Sequence, residues 1–474
     1  MHDLTITKRL DLKKSCYWFF SLEIVFILVL LSFPFKIILF SILLSLALFL
    51  SIGNLKRSIF LFIAGSTFVR FGAGYTTQDT LVLILIFIVF ITNLLLKNQR
   101  ILVLKRTALN LPLFLFLLFC LEATLVGFIN GGSVRELGIE LFPYLCFGLF
   151  FVVVNTLNSK KDIDYIFKLL VYVAWINSLI GIYTYISGGF LRVGGYLFSV
   201  FPSMVAAVLI CRSFYESNKR RKLRYWFMSL PMLMHLVLSF TRGYWIAFLV
   251  AIFLGFILFN LLERRKVLLY LGKFVLVLLL LIFITLGIGK NLKISKGGET
   301  LAESLVKRTQ SIFSIGLRRG GELDVSGISN LYRLIEWKES WKKIKGKPFL
   351  GYGFGYSLTI TDLFTKRKIS SWFVHQNYLL MALKIGLLGL LSFVWLSVIF
   401  LKKGILALKS INAPDEKGTI LGFVTNYLQL MIVALTNYVY ANVNHVPYIA
   451  FAMGAVVFLS YSPNSNFKGE LVGD

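Results

Sequence analysis

Apolar stretches of about 17 to 23 residues alternate with short polar loops from one end of the chain to the other, and about 20 apolar residues carry a helix across the hydrocarbon core of a bilayer. The pattern predicts spans at 16–33, 35–53, 58–74, 80–96, 108–129, 137–157, 165–187, 195–211, 225–240, 243–262, 267–288, 374–400, 419–437 and 445–461. Backbone groups in lipid must be satisfied within their own segment, which selects helices. The expectation is an all-α, polytopic integral membrane protein of about 12–14 transmembrane helices. Composition agrees. The chain is 57% hydrophobic with a mean hydropathy of +0.79, more apolar surface than a soluble core could cover.

Charge sets the sidedness. Lys and Arg of short loops stay on the cytoplasmic side. With the N-terminus inside, the inside loops hold Lys56 and Arg57, Lys105 and Arg106, Lys160 and Lys161, Arg212 to Arg224, Arg264 to Lys266, and Lys402 to Lys417, whereas the short outside loops hold Arg135, Arg192 and Arg242. Both termini come out cytoplasmic, and the first span reads as a retained helix and not a signal peptide. The net charge of +28 is then mostly topological and engages membrane lipids. It calls for no nucleic acid. Cys16, Cys120, Cys146 and Cys211 fall in or at the ends of spans, as small core residues do.

One connection is long, about 289–373, and it lies outside. It divides the chain into an N-terminal bundle (1–288), a large extracytoplasmic loop (289–373) and C-terminal helices with a tail (374–474). Loops of this length are usually functional or disordered. Leu334, Trp337, Trp341 and Ile344 recur at helical spacing. They predict an amphipathic helix over 329–344 at the membrane surface, capped by Ser329 or Asn330 and ended by Gly346-Lys-Pro348. The loop holds 16 Lys or Arg between Lys290 and Lys368 against 7 Asp or Glu between Glu299 and Asp362. Long loops translocate regardless of charge, so this excess points to an anionic ligand outside or to anionic headgroups.

Three elements carry a resemblance. Leu238-Ser239-Phe240-Thr241-Arg242-Gly243 lies at an outer turn. Arg333 heads a helix with Trp337 and Trp341, followed by Pro348-Phe-Leu-Gly351-Tyr-Gly353-Phe-Gly355. His375-Gln-Asn377-Tyr378-Leu379 follows, with Gly386-Leu-Leu-Gly389. In order and sidedness these resemble the motifs of the O-antigen ligase and polymerase superfamily, over about 230–395. Many members carry an acidic residue near the position of Lys384, where this chain departs.

The resemblance implies a GT-C-like membrane glycosyltransferase. It would move a glycan from undecaprenyl pyrophosphate to a hydroxyl on the outer face of the bacterial inner membrane, with no metal and no cofactor. Lipid A-core as acceptor makes a ligase, and a lipid-linked glycan makes a polymerase. The chemistry suits the residues. A pyrophosphate leaving group needs charge neutralisation, and Arg binds phosphate oxygens bidentately. Imidazole can take the acceptor proton. Arg242, Arg333 and His375 are the expected catalytic set. Arg70, Asn377, Tyr378, Trp337 and His445 are expected at the substrate.

Each candidate also has a plainer reading. Arg242 could snorkel, Arg333 could be one charge of an amphipathic helix, and His375 could cap the helix entering at 374. His235 reads as a core residue. Glu122 and Glu140 are candidates to pair with Arg70 or Arg135. A glycolipid flippase is the alternative of another class, but its helices should be broken by Gly and Pro in two corresponding halves, and here these residues cluster in the outer loop.

Overall fold

The computed structural model describes residues 54–68, 105–186, 200–239, 241–259, 264–289, 325–362 and 367–461. The spans expected at 16–33, 35–53 and 80–96, together with Arg70 and Cys16, lie outside the described residues.

The predicted spans appear as helices: α1 (Leu55–Phe68), α2 (Asn110–Ile129), α3 (Val134–Leu145) continued through a 3₁₀ turn into α4 (Leu149–Thr156), α5 (Lys160–Ile186), α6 (Phe201–Tyr215), α7 (Lys219–Leu238), α8 (Arg242–Phe259) and α9 (Arg264–Gly289). After the long connection come α11 (Asn377–Lys384), α12 (Gly386–Ser410), α13 (Pro414–Val433) and α14 (Val446–Ser460). Among the described residues, α2, the α3–α4 run, α5 and α12 are long and apolar enough to cross a membrane.

The apolar surface is two-sided, as lipid requires. On α2, Leu113, Phe116, Cys120, Ala123 and Gly127 are buried. Leu111, Phe114, Leu118, Leu121, Leu125 and Phe128 are exposed along the opposite stripe. Hydrocarbon matches that stripe, whereas water would not. The core centres on α6, which packs against α7 and α13 and is buried from Phe201 through Cys211. Small residues permit the approach. A Cβ on Gly422 of α13 would sit 2.5 Å from the Val208 Cα, and one on Gly418 would sit 2.6 Å from the Arg212 Cα. This i, i+4 glycine pair is how membrane helices bring backbones together without a hydrophobic drive.

Ion pairs join one set of helix ends. Lys56 meets Asp162 at 2.6 Å, Arg212 meets Asp164 at 2.7 Å, and Lys160 reaches Glu416 at 3.6 Å. These are the loops that charge assigns to one side. The ends carrying Arg242 and His375 lie opposite them.

The structure corrects two expectations, the helix caps and the single span at 374–400, and adds two details. The helix of the long connection, α10 (Val325–Gly346), begins before Ser329 and Asn330, so neither caps it. Its buried stripe is Glu336, Ser340 and Ile344, with Trp337 half-buried, while Leu334 and Trp341 face outward at 55% and 53% exposure. The connection also holds a short antiparallel hairpin, β1 (Leu358–Thr361) with β2 (Lys368–Ser371), pairing Leu358 with Ser371. Finally, the span expected at 374–400 is two helices. Ile385 breaks it, and Gly386 takes φ +71°, a conformation glycine adopts without steric cost.

Candidate active site

The glycine-rich turn supports the site and does not line it. Tyr352 and Gly353 donate their N–H groups to the Leu383 and Lys384 carbonyls at 2.8 and 3.0 Å, and Phe354 donates to Ala123 at 3.0 Å. The Pro348 carbonyl accepts from the Leu387 N–H at 2.7 Å, satisfying a donor that the start of α12 leaves open. Gly353 sits at φ +84° against Gly127. The stretch from Pro348 to Gly355 is thus a clasp between α2 and the α11–α12 break. Lys384 completes it. Its ammonium lies 2.8 Å from both oxygens of Glu140, and Glu140 also accepts from the Gly355 N–H at 3.0 Å. Glu140 therefore pairs with Lys384 and not with Arg135.

The turn between α7 and α8 places Arg242. Ser239 Oγ accepts from the Thr241 N–H at 3.3 Å, and the Thr241 carbonyl accepts from Tyr244 at 2.9 Å. Arg242 is the first residue of α8, half-buried. A cation there opposes the helix dipole, so folding alone does not favour it. Gly243 lets α8 approach the segment after α13: a Cβ on it would meet Thr436 Oγ1 at 3.1 Å and Asn437 Nδ2 at 3.4 Å.

That segment, Ala434–Ala441, is the common wall. Asn377 donates its N–H to the Ala434 carbonyl at 2.8 Å, and its Oδ1 accepts from the Tyr440 N–H at 3.0 Å. The Tyr438 ring packs on Phe373 at 4.7 Å and lies 6.1 Å from the His375 ring. His375 Nδ1 is 2.8 Å from Glu336 Oε2, which also accepts the His375 backbone N–H at 3.1 Å. Arg333 is half-buried one turn before Glu336 on α10. Arg333 and Tyr438 both act electrostatically on the hydroxyl of Tyr244, two residues beyond Arg242. Burial, and then the Glu336 carboxylate, hold the Tyr438 hydroxyl above its ordinary range, so it stays protonated at neutral pH.

The structure thus brings Arg242, beside Gly243, and His375, beside Tyr438, to one segment, with Arg333 one turn before Glu336 and Trp337 one residue past it on α10. Of the other expected residues, Arg70 lies outside the described residues, and Asn377, Tyr378 and His445 are engaged within the fold. Asn377 is fully buried and bonded inward. The Tyr378 hydroxyl donates to the Met431 carbonyl at 3.0 Å. His445 is buried at the start of α14, so it faces no open cavity. Nor is His375 a helix cap: Gln376 caps α11 through the Leu379 N–H. His235 is a core residue, as expected, and lines a small cavity with Ser203, Ser239 and Tyr244. Glu336 and Tyr438 escaped sequence reasoning.

A search of curated proteins finds no match to the chain. The O-antigen ligase family model matches residues 227–394. This range takes in Arg242, Arg333, Glu336, His375 and Lys384, and Ala434–Ala441 lies beyond it. Residues 227–394 are thus similar to the O-antigen ligase family, within an all-α polytopic membrane protein.

Proposed function

We propose that the protein transfers a glycan from undecaprenyl pyrophosphate to an acceptor hydroxyl at the outer face of the bacterial inner membrane, as a ligase whose acceptor is lipid A-core. The observation that carries this is that Arg242, beside Gly243, and His375, beside Tyr438, converge on Ala434–Ala441 with Arg333 one turn before the Glu336 that holds His375; all three residues fall in the span matched by the O-antigen ligase family model. The termini and the ion-paired helix ends are then cytoplasmic, and residues 289–373 form the outer loop over the site.

The reaction follows from the side chains. The guanidinium groups of Arg242 and Arg333 hold the pyrophosphate oxygens. His375 accepts the proton of the acceptor hydroxyl. The hydroxyl oxygen bonds to the anomeric carbon as the bond from that carbon to the pyrophosphate oxygen breaks. The leaving electron pair stays on the polyprenyl pyrophosphate, where preorganised positive charge in a low-dielectric site is worth most. Arg242 at the start of α8 adds to the positive end of that helix, so both favour an anion.

The test is transfer of radiolabelled glycan from a polyprenyl-pyrophosphate donor by the purified chain in nanodiscs. Label should appear on lipid A-core. Label only on a second lipid-linked glycan would make the protein a polymerase, and no transfer to either would overturn the enzyme reading.

A further inference from the structure

We propose that Glu336 is the positioning residue of the proton acceptor: it fixes the tautomer of His375 and holds the counter-charge for the imidazolium formed on transfer. The inference rests on the proposed transferase reading. It goes beyond that reading because neither the motifs nor the family likeness singled out Glu336.

The geometry is specific. One oxygen of Glu336 accepts two bonds from a single residue, the backbone N–H of His375 and its ring at Nδ1. A carboxylate has only acceptors to offer. Nδ1 must therefore carry the ring hydrogen, and the lone pair is left on Nε2. Exposure points the same way. The Glu336 side chain is 7% exposed and the His375 side chain 31%, so the ring keeps an open side while its partner does not. The backbone bond locks the carboxylate to the residue it orients, and the ring cannot turn without losing Nδ1. Phe373 packs edge-on to the ring at 5.1 Å and Tyr438 lies 6.1 Å away, which closes two further directions. When Nε2 takes the acceptor's proton, the new positive charge sits beside a carboxylate already in place. A buried carboxylate orienting a histidine in this way is a recurring catalytic arrangement.

The competing view is that Glu336 is a strut tying α10 to the mouth of α11. Kinetics separate the two. Glu336→Gln keeps the size and an acceptor for the backbone N–H but removes the charge. With a polyprenyl-pyrophosphate-linked glycan as donor and the full chain in nanodiscs, it should lower kcat by about ten- to a thousandfold. Donor KM and the apparent melting temperature should hardly move. In a His375→Ala background the same substitution should cost nothing more, because groups that act as a unit are not additive. A strut predicts the reverse: a lower melting temperature and a further loss in the double variant, which would overturn the inference. Near-normal kcat in Glu336→Gln with an inactive His375→Ala would overturn it and leave the transferase reading standing. Normal turnover in His375→Ala would overturn the inference together with the proton-acceptor role of His375, whereas no transfer by the unsubstituted chain would overturn the transferase reading itself. If Glu336→Gln does not fold, Glu336→Asp and Glu336→Asn make the same comparison, and equal turnover in that pair would overturn the charge role.

Discussion

Lys384 and Glu140 form an ion pair across 244 residues of sequence, with the ammonium 2.8 Å from both carboxylate oxygens and both groups buried. The pair sits beneath the clasp, since Glu140 holds the Gly355 N–H. Removing one partner from a buried pair strands the other charge and costs about 3–5 kcal/mol. Lys384→Met and Glu140→Leu should therefore each lower the apparent melting temperature strongly. The double variant should recover part of the loss, because no charge is stranded. Thermal unfolding of the four proteins in one detergent checks this, and a double variant worse than either single would contradict it.

The clasp predicts an ordering among glycine variants. Gly131 and Gly386 both have positive φ, +84° and +71°. A Cβ at Gly131 meets nothing within 4 Å, whereas one at Gly386 would sit 1.9 Å from the Phe349 carbonyl oxygen. Gly131→Ala should cost only the left-handed backbone term, about 1–2 kcal/mol. Gly386→Ala must also push Phe349 away from the start of α12. It should give the lower melting temperature and the poorer monodisperse yield on size exclusion.

How much of this was legible follows from what each signal can carry. Hydropathy places a span by its mean, so 108–129 anticipates Asn110–Ile129 closely. The same averaging hides the break at Ile385, because Leu383, Ile385, Leu387 and Leu388 keep the run apolar across it. Which helix ends share a side was legible among the described residues, because the basic loops recur at alternate connections. Glu336 was not. A glutamate in a lysine-rich helix looks solvated, and its partner lies 39 residues on. Of Leu334, Trp337, Trp341 and Ile344, only Ile344 is buried: helical spacing finds a stripe but does not say what covers it. Asn377 stands in the His-x-Asn element, yet its amide serves the fold. A motif records both chemistry and architecture, and only the hydrogen-bond partners separate them.

The transferase reading makes a prediction about metals. If guanidinium groups neutralise the leaving pyrophosphate, a divalent ion has no required place in the step. Transfer measured in EDTA should match transfer with added Mg²⁺ to within a few fold, with the same substrates and lipid composition. A strict requirement for the ion would shift the charge-neutralising role away from Arg242 and Arg333.

The last prediction concerns those two arginines. Both are half-buried, at the start of α8 and on the inner side of α10, and Arg333 acts electrostatically on Tyr244, two residues beyond Arg242. If they grip the pyrophosphate, Arg242→Ala and Arg333→Ala should each abolish transfer while leaving insertion and folding intact. Lysine should recover little at either site. Its ammonium is a point charge on a flexible stem, and it cannot present two parallel donors to a phosphate. Loss of one charge-stabilising donor typically costs about 10²–10³ in kcat, so the lysine variants should fall in or below that range. Snorkelling would behave differently, because a lysine reaches the interface as well as an arginine does. Transfer rates for Arg→Ala and Arg→Lys at both positions, measured on samples matched for melting temperature, decide between the two. Full activity in Arg333→Lys would remove Arg333 from the pyrophosphate site, and the basic face of α10 would then have to be explained by lipid headgroups alone.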